Sequence, residues 1–516
     1  MSQARVLLLF IALLLAASAA QAQRQIEFAD YQLPESGALA ISVAKGLPDG
    51  GAFAELDARL EGALRRAANT AGFSGDRGVV LNLFGIGEFE QLIVIGTGVD
   101  PVDARLLEDV GGLVGQLGLL SAAPHLDLAW NIADIPAAGA HLAFGAELGQ
   151  YTFRRYRSPA PDAPKLGQGS LRILGADPAA SRKSWEDDWQ HVASGVRFAR
   201  DLVSEPANVI YPESFVERTR EAFRGLDRVS IEVLDQAAME RLGMGSILAV
   251  GQGSARPPRL MLVRYRGAAD DAEPLAFVGK GITFDTGGIS IKGRDNLWRM
   301  KYDMSGAAVV TGAVLGLARR GAEVNAIAVA ALAENMPSGS AGRPGDVIRT
   351  LSGKTYEVIS TDAEGRMVLV DAITYVLQQD KPQVLVDIAT LTGSQVTAVG
   401  DEYGGLFTRD ESLATALQQA GMRSGEELWR LPLHPSYAKD LESPIADLRN
   451  GGSSGKAGAG VGAFFIGSWV PEGQAWAHLD IASMAWRDDA PLPTVPLGAS
   501  GFGVRLIDRY VRELAQ

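Results

Sequence analysis

The chain has 516 residues, no cysteine, five histidines and a net charge of −13 from 48 basic and 61 acidic side chains. Without cysteine there are no disulfides, cysteine zinc sites, cysteine-ligated clusters or thiol nucleophiles. The acidic balance argues against nucleic acid as a partner, because phosphate binding rests on lysine and arginine.

His125, His141, His191, His434 and His478 are scattered and form no H-E-x-x-H pair, which sets histidine-based zinc catalysis aside. The length, with 47% hydrophobic and 21% charged residues, is that of a globular chain of two or more domains.

In chain order, Met1 to Gln23 comes first. Arg5 precedes an apolar run from Val6 to Ala17, and Ala20-Gln21-Ala22 follows as an A-x-A pattern. That is the anatomy of a signal peptide cleaved after Ala22, and it predicts a periplasmic or secreted protein. The run is short for a membrane span, so no stable membrane anchor is expected, with an uncleaved anchor as the alternative.

Residues 23–183 alternate apolar runs with amphipathic stretches, as a smaller N-terminal α/β domain does. Strands are predicted at Val79–Phe84, Gln91–Gly96, Leu126–Ile132 and Ser170–Leu174, and a helix at Asp103–Leu120. Tyr156–Lys165 reads as a linker or surface loop. Residues 184–206 read as a connecting helix.

Residues 207–516 form a second, larger α/β domain with a mostly parallel central sheet. Its predicted strands are Ser230–Leu234, Arg259–Tyr265, Leu275–Val278, Asn325–Ala331, Val384–Ile388 and Trp476–Ile481. Its marked helices are Ser305–Arg320 and Arg366–Gln379. Gly451–Gly460 reads as a flexible loop; its formal G-x-S-x-G match has no strand before it and lacks the context of a nucleophile elbow. No P-loop or strict G-x-G-x-x-G occurs. His478 reads as a hydrogen-bonded core residue, and Trp469, Trp476 and Trp486 as core or interface aromatics.

Two loops gather ionisable residues. The first, KGITFDTGGISIKGRDNLWRMKYD from Lys280 to Asp303, carries Lys280, Asp285, Lys292 and Asp303. The second, STDAEGR from Ser360 to Arg366, carries Asp362, Glu364 and Arg366. Loops after strand C-termini are where open α/β sheets hold their sites. Converging carboxylates repel one another unless cations neutralise them, and oxygen-rich sites suit divalent ions, singly or in pairs. Residues and spacing alone leave a second reading open: the acids as solvated turn formers or caps, with Asp303 an N-cap, Lys280 a salt-bridging lysine, Lys292 solvated, and Arg366 a surface arginine.

The same residues carry a specific likeness. TDAEGR at 361–366, GKGITFDTGGISIK at 279–292 and MKYDMSGAA at 300–308 resemble the leucine aminopeptidase (cytosol aminopeptidase) family. DIATLTG at 387–393, SPIADLRN at 443–450 and HLDIA at 478–482 agree with it.

The resemblance covers about 207–511 and implies a metal-dependent exopeptidase that releases N-terminal residues. It implies that Lys280, Asp285, Asp303 and Glu364 hold one Mn²⁺ or Zn²⁺ ion. Asp285, Asp362 (with its backbone carbonyl) and Glu364 hold the other. Lys292 stabilises the tetrahedral intermediate, and Arg366 holds a bicarbonate acting as general base towards activated water. Met300, Thr390, Gly393 and Ala482 form a pocket for an apolar first side chain. The resemblance further implies peptide substrates, a homohexamer and, for most relatives, a cytoplasmic location. Ser360 and Ser305 depart from the family's usual asparagine and glycine. A non-catalytic binding protein and a different two-metal hydrolase are the competing functions.

Overall fold

The computed structural model describes residues 23–131, 135–158 and 167–514; the predicted leader, and most of the predicted linker, lie outside the described residues. Two compact units result. One runs to Gln190 and takes in Ala490–Pro496; the other runs from His191 to Asp489 and resumes at Leu497. The predicted connecting helix is a π-helical turn, Trp185–Trp189, running into an α-helix, Gln190–Ser204, and the division falls inside it. Ala490–Pro496, expected in the second domain, belongs with the first unit. Its carbonyls at Leu492 and Pro493 accept from Gln116 Nε2.

The first unit is a six-stranded sheet of β1 (Gln25–Asp30), β2 (Gly37–Ala44), β3 (Val80–Ile86), β4 (Phe89–Gly98), β5 (His125–Trp130) and β6 (Ser170–Gly175). The order is β1-β6-β5-β2-β4-β3, parallel except for the β3 edge. Side chains alternate across it: Leu39, Ile41, Leu92 and Val94 join one buried cluster, and Ala38, Ala40, Ile93 and Ile95 the other. The predicted helix at 103–120 is Ala104–Gly118, with Asp103 capping it through Leu106 N.

The second unit is built on eight strands. These are β7 (Val229–Leu234), β8 (Arg259–Arg266), β9 (Leu275–Asp285), β10 (Asn325–Asn335), β13 (Val384–Ala389), β14 (Gly404–Thr408), β15 (Leu428–Arg430) and β17 (Ala475–Asp480). Their order is β15-β14-β17-β13-β9-β10-β8-β7. The inner four, β17, β13, β9 and β10, run parallel. β8, β7 and β14 bring in antiparallel pairs, so the sheet is mixed.

Three further strands, β11 (Val347–Arg349), β12 (Thr355–Glu357) and β16 (Leu448–Arg449), form a separate small sheet, and β18 (Trp486–Arg487) pairs with β19 (Gly498–Ala499). The inner strands are buried on both faces and are largely apolar. Helices Ser305–Arg319 and Glu364–Gln379 pack against β9 and β10. The segment expected to be a flexible glycine-serine loop is stapled: Asp440 accepts from Ser453 Oγ, Ser454 N and Ser454 Oγ.

Candidate active site

β9 runs eleven residues, past the predicted end at Val278, so Lys280 lies inside the strand and Asp285 ends it. The chain then turns through Gly287 (φ +86°) and Gly288 (φ +64°), left-handed conformations that favour glycine. This turn closes on the second loop. Thr361 Oγ1 donates to Gly287 O at 2.6 Å and accepts from Ser290 N at 2.8 Å. The second loop follows β12 of the small sheet, not a strand of the central one. It leads into the helix from Glu364, whose second residue is a glycine. A Cβ at Gly365 would stand 2.8 Å from Lys280 Nζ.

The two loops and β9 bring the predicted residues together. One oxygen each from Asp285, Asp303 and Glu364 lies within 4.8 Å of the others, and all three residues are buried. Lys280 Nζ sits among them, 2.7 Å from Asp303 Oδ2, 2.9 Å from Glu364 Oε1 and 2.8 Å from the carbonyl oxygen of Thr390. Lys292 Nζ bridges Asp285 Oδ2 at 2.8 Å and Asp362 Oδ1 at 2.5 Å. Asp362 is the most open of the acids and joins the cluster through that lysine.

Asp303 is no N-cap. It lies in a 3-10 turn, Leu297–Met304, and its Oδ1 accepts from the Thr390 hydroxyl at 2.7 Å. Arg366 is buried; its Nη1 donates to Asn450 O at 2.9 Å and its Nε has no partner. Of the predicted pocket residues, Thr390 is buried just past the end of β13, and Met300 and Ala482 are half-buried. Gly393 is exposed at the start of helix Gly393–Val399.

The electrostatics follow from crowding. Burial pushes the Asp285 carboxyl up to about 6, and the Glu364 charge adds to this against Lys292 and Lys280. Burial raises Asp303 well above the usual range, opposed by Lys280 and reinforced by Asp285 and Glu364. For Glu364 burial is again the largest influence and acts upward, yet Lys280 and Lys292 together bring it below normal. Burial alone would lower both lysines; the surrounding carboxylates raise them instead. Glu364 Oε2 is buried with no hydrogen-bond partner. Mutually repelling carboxylates with an unsatisfied oxygen are the donor set a hard or borderline cation takes.

Three further residues shape the site and were not singled out from the sequence. Asn335, at the end of β10, donates from one amide to Asp285 Oδ1 at 2.8 Å and to Thr361 O at 3.0 Å, tying both loops together. Asn450 accepts from Ile359 N at 2.7 Å and donates to Ser360 O at 2.7 Å, fixing the entry to the second loop. Asp480 holds the loop after β13. A polar residue at the end of a buried strand was the available signal for Asn335 and Asp480.

A central sheet of inner parallel strands with a buried acid–lysine cluster beyond the end of β9 is the arrangement of an α/β enzyme with a cation site. A profile of the cytosol aminopeptidase family's catalytic domain matches residues 197–507, and one of its N-terminal domain matches residues 40–160. A probable cytosol aminopeptidase of Caulobacter vibrioides is 43% identical over 497 residues, covering 95% of this chain and 99% of its own length.

Among solved structures, a mutant of tomato leucine aminopeptidase aligns with TM-score 0.85 and 30% identity over 96% of this chain and 98% of its own. Bottromycin maturation enzyme BotP in complex with Mn aligns with TM-score 0.79 and 33% identity over 93% and 99%. The chain belongs to the cytosol aminopeptidase family, and its activity is that of a metal-dependent aminopeptidase. Among the described residues no helix is long and apolar enough to cross a membrane.

Proposed function

We propose that the chain is a leucyl-type exopeptidase that uses two divalent ions to remove apolar residues, such as leucine or methionine, from peptide N-termini. The observation that carries this reading is the buried cluster of Asp285, Asp303 and Glu364, with Lys280 and Lys292 inserted among its acids. Lys280, as the neutral amine left when an ion displaces its proton, would hold one ion with Asp285, Asp303 and Glu364, and Asp285, Glu364 and Asp362, with its backbone carbonyl, would hold the other. Mn²⁺ or Zn²⁺ fits the donor set, and a solved relative is titled as a Mn complex. The chemistry such ions supply is Lewis acidity, which polarises a carbonyl and acidifies water near neutral pH.

The chain's own residues do the rest. Lys292 is kept protonated by its carboxylate neighbours and is a quarter exposed, so it presents a cation towards a substrate carbonyl and stabilises the oxyanion that develops there. Arg366, with an unpartnered Nε, holds a planar oxyanion such as bicarbonate. Thr390 and Ala482, past the ends of neighbouring parallel strands, line the pocket for the first side chain with Met300 and Gly393.

The chain assembles as a homohexamer. It is made with a leader removed after Ala22, followed by an N-terminal domain from 23 to 183, a connecting helix from 184 to 206 and a catalytic domain from 207. The decisive experiment incubates the purified, metal-depleted chain with leucyl-anilide and a peptide library, adding back Mn²⁺ or Zn²⁺. Ion-dependent release of N-terminal apolar residues is expected, and no release from any peptide overturns the reading. Sedimentation reports the hexamer, and N-terminal sequencing of the exported protein reports the cut.

A further inference from the structure

Behind the site, β13 and β17 carry three buried ionisable groups, with Asp387 in register with His478 and Asp480 in register with Ala389. In the first pair both carboxylate oxygens are bonded inside the core: Asp387 Oδ1 meets His478 Nδ1 at 2.5 Å, and its Oδ2 accepts from Trp476 Nε1 at 2.7 Å. Asp480 is just as buried, but its hydrogen bonds all run forward into the loops that follow the two strands. Its Oδ1 accepts from Leu391 N at 3.0 Å and Ala482 N at 3.2 Å. Its Oδ2 accepts from the Thr392 hydroxyl at 2.6 Å. Thr392 Oγ1 in turn caps helix Gly393–Val399 by accepting from Gln395 N.

Leu391 N and the Thr390 carbonyl belong to one peptide group. A trans peptide is planar, with its N–H and C=O pointing in opposite directions. On one side of this plane the N–H is taken by Asp480; on the other, the carbonyl takes a proton of Lys280 Nζ at 2.8 Å. The residue that owns the carbonyl also donates its hydroxyl to Asp303 Oδ1. Rotating this peptide would swing the carbonyl off Lys280 and shift the hydroxyl on Asp303. The anionic acceptor on the N–H also polarises the peptide and strengthens its carbonyl as an acceptor. A buried carboxylate is costly unless its oxygens are hydrogen-bonded, and here every such bond falls on these loops.

We propose that Asp480 is a positioning residue for the cation site, acting through the single peptide group that joins Thr390 to Leu391. It sets the direction of Lys280 and Asp303, and it rests on the reading that these two residues face a bound ion. Partners that orient metal ligands are worth roughly 10–100-fold in metal affinity.

The test titrates Mn²⁺ into the metal-depleted full-length protein against a chromophoric chelator, with thermal unfolding followed in parallel. Asp480→Ala is expected to weaken Mn²⁺ binding by about tenfold or more. Asp480→Asn keeps an oxygen for Leu391 N and restores most of the affinity. Glu426→Gln perturbs a buried group that holds the C-terminal helix through Gly503 N and Leu506 N. It is expected to lower the unfolding temperature while leaving Mn²⁺ affinity at the wild-type value.

If Asp480→Ala does not fold, Thr392→Val, which removes one of the three bonds, carries the test with a smaller expected loss. Wild-type affinity in the folded Asp480→Ala protein, or in Thr392→Val where that variant stands in, overturns the positioning role alone. A wild-type protein that binds no Mn²⁺ or Zn²⁺ overturns the metal reading of the site, and the inference with it.

Discussion

In the N-terminal unit, Asp127 on β5 receives both arms of the Arg172 guanidinium, at 2.6 and 2.7 Å, and Arg24 is buried against the carbonyls of Gly118, Ser121 and Ser170. In the second unit, Asp285 at the end of β9 meets two further buried carboxylates; Lys280 pairs with those two and Lys292 with Asp285. Both units rest on parallel strands flanked by helices, and both bury charge. The difference lies in where the charges originate. Asp127 and Arg172 are register partners on adjacent strands, so each charge arrives with its complement. The acids of the second unit come from a strand end, a 3-10 turn and a helix start. They converge with an oxygen of Glu364 left over. Fold class alone therefore does not make a site; unbalanced convergence at strand ends does.

The largest way to break this contrast is Glu364→Gln, which removes the acid bearing the unpartnered oxygen. Aminopeptidase activity is expected to fall to background, beyond the roughly 10²–10³-fold loss in kcat expected for Lys292→Ala. Lys292→Ala should keep its bound metal, which metal analysis checks.

Asp371 gives the second unit a charge used as the first unit uses its own. It is fully buried and accepts from Ser246 N, Ile247 N and Leu351 N. Asp371→Ala strands those donors and should lower unfolding stability by about 3 kcal/mol in urea titration. Arg172→Ala should cost less, about 2 kcal/mol, because Asp127 is buried and loses both bonds while the arginine end is partly exposed, and kcat/KM should not change.

The smallest effect is a count of protons. In the cation-free protein the Asp285 carboxyl is raised to about 6, so it still holds protons at pH 6. A bound cation favours the carboxylate, so Mn²⁺ addition at pH 6 should release protons, and binding should strengthen as pH rises through 6. Calorimetry in buffers of different ionisation enthalpy reads this directly, and the absence of proton release at pH 6 would contradict it.

Much of the site was legible because it is local. The turn after Asp285 needs its glycines wherever it folds, and TDAEGR places Asp362, Glu364 and Arg366 within five residues. Helix starts and stops also followed from pattern; the helix predicted at Ser305–Arg320 is observed at Ser305–Arg319. Less legible was β9, whose apolar pattern stops at Val278 because Gly279, Lys280 and Gly281 interrupt it. It continues because β10 pairs with it as far as Asp285 and β13 as far as Gly279. Asp303 reads equally well as a helix cap, and only the hydroxyl of Thr390, 87 residues away in sequence, shows its use.

The sequence by itself determined the α/β class and the absence of thiol and histidine-pair chemistry, and its short motifs carried the resemblance that nominated the acids and lysines, since composition, short-range spacing and turn chemistry are properties of neighbouring residues. Tertiary structure decided what those groups meet. It set Lys280 among three oxygens from three different segments, closed two loops with one amide of Asn335, and put Asp480 and Lys280 on opposite sides of one peptide. Such contacts join residues tens to hundreds of positions apart, and strand order and register fix them, which no local pattern encodes.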